Sequence, residues 1–136
     1  MKGSTLIFRV GKLIPEARLW NDASPDLAFL QKAVGGWIQG VPDWRTIDVA
    51  GQIQPCVAYC NENGKLEGLP LNPAATLAWD AALRRVKDEV GFVVYPNGLR
   101  KEDGDLTDAL VGDVVVVTGD AEFMRRHIDG DEDDEA

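Results

Sequence analysis

The sequence predicts an α+β fold: a small, mostly antiparallel sheet with two or three helices packed on one face. Three observations lead there. Short β-branched or aromatic runs recur between turn residues, the pattern of hairpin-connected strands. Two segments, Ser24-Pro25-Asp26 and Asn72-Pro73, join a capping residue to a proline and continue at helical spacing. The run Val111 to Thr118 carries consecutive valines, which reads as a central strand buried on both faces.

Along the chain, Thr5 to Val10 is a strand that Gly11 and Pro15 break. A second extended piece covers Ala17 to Trp20. Ser24 is expected to cap the first helix, with Pro25 in its first turn and Asp26 at the positive end of its dipole. Leu27, Leu30, Val34 and Ile38 then form its apolar face, and Gly35-Gly36 ends it. Thr46 to Val49 and Ile53 to Cys60 are strands, and Pro55 argues for an edge position or a late start in the second. Asn61-Glu62-Asn63-Gly64 is a turn. Pro73 to about Asp88 is a helix with Leu77, Ala81 and Val86 inward. Phe92 to Tyr95 is a short strand, Pro96-Asn97-Gly98 turns it, and Lys101 to Asp105 is a polar loop. Asp120 caps a last helix through Arg126.

The chain has 136 residues and reads as one domain over 1–128 followed by an acidic tail over 129–136. The tail holds six acids and no base, so without it the net charge of −9 becomes −3. Such a run has nothing apolar to bury and is expected to be disordered. Direct nucleic-acid binding is disfavoured because no basic stripe is present to neutralise phosphates. No apolar run is long enough for a membrane span or a signal peptide, so the expected location is the cytoplasm.

Most standard enzyme chemistries lack their residues. The only histidine, His127, lies beside the acidic tail, and of the serines, Ser4 and Ser24, the second is explained as a cap. No phosphate-cradling glycine motif and no complete calcium loop are present. Asp103 and Asp105 flank Gly104 and resemble a hairpin tip more than an acid–base pair. Cys56 and Cys60 share one face of a strand about 13 Å apart, too far for a disulfide. They read as core thiols, and one histidine is too few for a usual zinc site. No catalytic residue, metal or cofactor is expected.

Binding residues are easier to find. Gly35 and Gly36 expose backbone to a ligand, and Trp37 offers a stacking face. Asn61 and Asn72, otherwise turn and cap residues, could read a polar edge from a shared pocket. Of the tryptophans at 20, 37, 44 and 79, Trp37 and Trp44 flank a Gly/Pro-containing connection and are expected to be partly exposed.

Leu30-Gln31, Val34-Gly35-Gly36-Trp37-Ile38, Tyr59-Cys60-Asn61-Glu62-Asn63-Gly64, Leu69 to Thr76 and Val111-Gly112-Asp113-Val114-Val115-Val116 occur in an order that resembles DUF3846, a domain of unknown function found in phages, plasmids and bacteria. The resemblance implies an accessory phage-type protein that acts by binding. Its first implied partner is a small nucleotide-derived ligand, sequestered to blunt host defence. Gly35, Gly36, Trp37, Asn61 and Asn72 would line that pocket, with Gln31 and Arg45 as polar partners. The alternative is an acidic inhibitor that binds a host protein through the tail or exposed tryptophans. A pocket between subunits would make the protein a homo-oligomer.

Overall fold

The computed structural model describes residues 1–91, 93–94, 100–101 and 109–129. Its strands are β1 (Lys2–Phe8), β2 (Glu16–Asn21), β3 (Ile38–Gly40), β4 (Thr46–Val49), β5 (Gln52–Asn61), β6 (Val93–Val94), β7 (Arg100–Lys101) and β8 (Val114–Gly119). The helices are α1 (Leu27–Val34), α2 (Pro73–Val90) and α3 (Ala121–Asp129). One six-stranded sheet runs β2-β1-β8-β5-β3, with β4 also on β5; β6 and β7 form a separate hairpin. Every pairing among the described strands is antiparallel. The α+β class and the antiparallel sheet are as the sequence predicts.

The valine run of β8 explains the layering. Val114 to Val117 are all fully buried, and they alternate between two cores. Val114 and Val116 join Phe8, Trp44, Ala58, Trp79 and Leu83 beneath α2. Val115 and Val117 join Ile7, Leu30, Val34, Phe123 and Met124 beneath α1 and α3. The helices therefore cover both faces of the sheet and not one. A strand that is apolar at every position demands this arrangement, because each face needs its own cover.

Several boundaries shift for local reasons. Asp26, not Ser24, caps α1: its carboxylate accepts the Phe29 N–H at 2.8 Å. Leu30, Ala33 and Val34 face inward, whereas Leu27 is exposed and Ile38 belongs to β3. Gly35 does end α1, at φ 77°, where its N–H reaches the Gln31 carbonyl. Strand β5 lies between β8 on one side and β3 and β4 on the other, so Pro55 does not mark an edge. Pro55 sits opposite Thr46 of β4, and pairing with β8 begins one residue later, at Cys56.

Helix α2 begins at Pro73 behind the Asn72 cap and ends at Gly91. Its inward residues are Ala75, Trp79, Ala82, Leu83 and Val86. Leu77 and Ala81 point outward, because the large Trp79 ring sets the phase of the helix and carries the most area to bury. Trp44 is also buried, only 2% exposed, with its ring 6.0 Å from that of Phe8. Its expected exposure is corrected by this packing. The Cys56 thiol beside it is buried, which pushes its pKa up to about 12. It stays protonated at neutral pH, as a core thiol does.

The Asn61 turn forms as expected: the Asn61 side chain accepts the Asn63 N–H at 2.8 Å, and the Gly64 N–H reaches the Asn61 carbonyl at 3.1 Å. Asp120 caps α3 through the Phe123 N–H at 2.9 Å, and the helix continues to Asp129. Among the described residues, no helix is long and apolar enough to cross a membrane. The expected turn at Pro96-Asn97-Gly98, the carboxylates Asp103 and Asp105, and tail residues 130–136 lie outside the described residues.

Candidate functional site

The residues singled out in the sequence do not converge on one pocket. Gln31, Gly35, Gly36 and Trp37 do lie together, with Lys32, on a shallow, largely apolar surface at the C-terminal end of α1. Trp37 is 66% exposed there. Asn61 stands behind this surface and is buried. Its Nδ2 donates to the carbonyls of Val34 and Gly35, both at 3.4 Å, and so ties the end of α1 to β5.

Asn72 is elsewhere and fully buried. Its Nδ2 donates to the Phe8 and Gly112 carbonyls, each at 2.8 Å, while its oxygen accepts the Ala75 N–H at 3.1 Å. Both amide protons are thus consumed within the fold, and the residue cannot serve a ligand. Arg45 is exposed and paired with Asp43 at 2.8 Å. Its carbonyl accepts the Cys56 N–H, and Asn61 lies five residues further along β5. At strand rise that separation is roughly 16 Å, so Arg45 and Asn61 do not share a site.

A deeper cleft lies at the opposite end of α1. It encloses about 470 Å³ between the Asp22–Asp26 segment, Leu27 and Leu30 of α1, Tyr59 of β5, and Arg126 and His127 of α3. That volume falls within the usual range for small-molecule sites. The Tyr59 hydroxyl and the His127 Nε2 are 2.8 Å apart, and the two rings meet edge to face at 5.7 Å. Burial lowers the His127 pKa and raises that of Tyr59. Both groups are therefore neutral at pH 7, and the phenol can donate to the imidazole.

The cleft is lined by both signs of charge. Arg126, 4.0 Å from Glu122 and about one-third exposed, and the N-terminus of Met1, 3.6 Å from Glu122, are its cations, and Asp22 and Asp26 are its carboxylates. Cations, a neutral aromatic pair and hydroxyl or carboxylate acceptors can bind a ligand that carries both an anionic group and hydrogen-bond donors. Among the described residues, no group of three or more His, Cys, Asp or Glu side chains is placed to hold a metal ion.

Tyr59, Arg126 and His127 are not among the residues expected from sequence. A signal for them exists. Phe123 and His127 are four apart on α3, so the imidazole shares the inward face of a helix whose Phe123 is fully buried. Tyr59 alternates with Cys60 and so faces the other core.

No curated protein and no solved structure matches the chain. A protein-family model described as "Domain of unknown function (DUF3846)" matches residues 1–126, and the chain belongs to that family.

Proposed function

We propose that this protein binds a small nucleotide-derived ligand in the Tyr59–His127 cleft and holds it without turning it over. The observation that carries the reading is the neutral Tyr59–His127 pair, 2.8 Å apart, in the wall of a cleft of about 470 Å³ with Arg126 at its rim. The aromatic rings suit a base or ribose face. Arg126 suits a phosphate. The Asp22–Asp26 segment suits hydroxyl or amino groups. In the phage-type setting of the family resemblance, such a protein would remove a host immune signal in the cytoplasm.

A thermal-shift screen against cyclic and linear nucleotides, followed by mass spectrometry of the released compound, tests this. A shift that Arg126→Gln diminishes, with the compound recovered intact, supports sequestration. Recovery of a converted compound would make the protein an enzyme. No shift across the panel counts against a nucleotide ligand.

A second reading, an acidic inhibitor of a host protein, draws on Trp37. An indole this exposed, set in an apolar surface, suits the centre of a protein interface.

A further inference from the structure

The cleft beside Tyr59 and His127 has little positive charge to spare for an anion. Its cations are Arg126 and the N-terminus of Met1. Glu122 lies 4.0 Å from the first and 3.6 Å from the second, and Asp120 lies 3.9 Å from the second. Asp22 and Asp26 line the cleft as well, and among the described residues neither forms an ion pair. Arg126 and the Met1 ammonium therefore stand against Asp22, Asp26, Asp120 and Glu122, while Tyr59 and His127 add no charge. The backbone supplies no substitute. A helix N-terminus ordinarily attracts an anion, but at the start of α1 the Phe29 N–H already donates to Asp26 at 2.8 Å. Helix α3 presents its other end, since Arg126 and His127 lie in its last turn, where the dipole is negative.

We propose that the ligand of this cleft, on the reading that it is nucleotide-derived, carries a single negative charge: it is a nucleoside 3′,5′-cyclic monophosphate whose one phosphodiester meets Arg126. A terminal phosphate monoester carries about −1.5 to −2 at pH 7, and each further phosphate adds to that. Repulsion from carboxylates in a cleft open to water is modest for one charge and grows with every phosphate. A nucleoside without phosphate forgoes the charge-assisted bond to Arg126.

Size points the same way. A cleft of about 470 Å³ sits low in the range of about 300–1,000 Å³ usual for small-molecule sites, which suits one base and ribose and not a linked pair. The Asp22 and Asp26 oxygens are acceptors for the ribose 2′-hydroxyl and the N–H groups of the base. Asp22 is held beside Met1, because its N–H donates to the Met1 carbonyl at 3.1 Å, and its φ is 62°. Asparagine adopts that left-handed region as readily as aspartate, so Asp22→Asn removes a charge and keeps the backbone.

Isothermal titration of the full chain at constant ionic strength tests this with ligand sets that share a base. Each set holds the nucleoside, its 3′,5′-cyclic monophosphate, its 5′-monophosphate, its 5′-triphosphate and its cyclic dinucleotide, for adenine, guanine, cytosine and uracil. In the set that binds, the cyclic monophosphate is expected to be tightest, at least about tenfold tighter than the 5′-triphosphate. Arg126→Gln is expected to bring it level with the nucleoside, and Asp22→Asn to narrow its lead over the triphosphate. The ranking on the parent chain decides the matter even where a variant fails to fold. Any other member of the set that binds as tightly as the cyclic monophosphate overturns the single-charge assignment and leaves the nucleotide reading standing. Heat of binding from none of the ligands overturns that reading and this inference with it.

Discussion

The side-chain amide of Asn61 occupies the space where Gly36 would carry a side chain: a Cβ on Gly36 would lie 2.8 Å from Asn61 Nδ2. The glycine is required by this contact and not by its backbone angle, since Gly36 has no positive φ. Gly36→Ala is expected to destabilise the fold by about 1–3 kcal/mol, as overpacking does. Gly40 has open space around its Cβ position. Gly40→Ala is therefore expected to stay within about 0.5 kcal/mol of the parent. Urea denaturation of the two variants reads the difference.

Asn72 joins three elements through one carboxamide: the end of β1, the approach to β8 and the first turn of α2. Asn72→Ala strands two buried carbonyls and removes the helix cap. A loss of about 3 kcal/mol is expected, measured by denaturant unfolding. Asn72→Asp keeps the cap but turns a carboxylate towards the two carbonyls. It is expected to be less stable than the parent at neutral pH and to recover part of the loss when acid protonates it.

Burial lowers the His127 pKa below its ordinary 6.5, so the fold prefers the neutral imidazole. Protons then bind more readily to the unfolded chain. The stability from neutral His127 is fully present above pH 6.5 and is lost as pH falls through the lower folded value. Melting temperatures measured from pH 8 to pH 5 are expected to fall, and His127→Gln is expected to flatten that part of the profile.

Tyr59→Phe removes the hydroxyl that meets His127 while keeping the ring. Cleft binding is expected to weaken about tenfold, the worth of one hydrogen bond at a part-buried site. Trp37→Ala, at the other end of α1, is expected to leave that binding unchanged and to shift stability by less than about 0.5 kcal/mol. Isothermal titration with the nucleotide identified in the screen, together with thermal melts, checks both.

The elements that local chemistry specifies were legible before the structure. Asn72-Pro73, Gly35, Asp120 and the Asn61 turn each act through groups within a few residues, so their sequence patterns carry the outcome. The phase of α2 was not legible, because Leu77 and Trp79 are both plausible core residues and only the sheet decides between them. Trp44 is in the same position: a Gly/Pro-containing connection reads as exposed until Phe8 packs against the ring. The site was legible only in part. Gly35, Gly36 and Trp37 are neighbours in sequence and remain neighbours in space. Tyr59 and His127 are 68 residues apart, and their hydrogen bond depends on β5, β8 and α3 assembling in order. Asn72 misleads for the opposite reason. Its amide looks available in sequence, yet long-range partners consume it.

The sharing of β8 between two cores has a consequence for how the molecule comes apart. Neither layer of helices can detach without stripping one side of the same four valines. The two halves are therefore expected to melt as one cooperative unit, with the amides of Val115 and Val116 exchanging with deuterium only when the whole domain opens. A ligand held under α1 and α3 then protects residues beneath α2 that it never touches, and a single melting curve reports occupancy of either face.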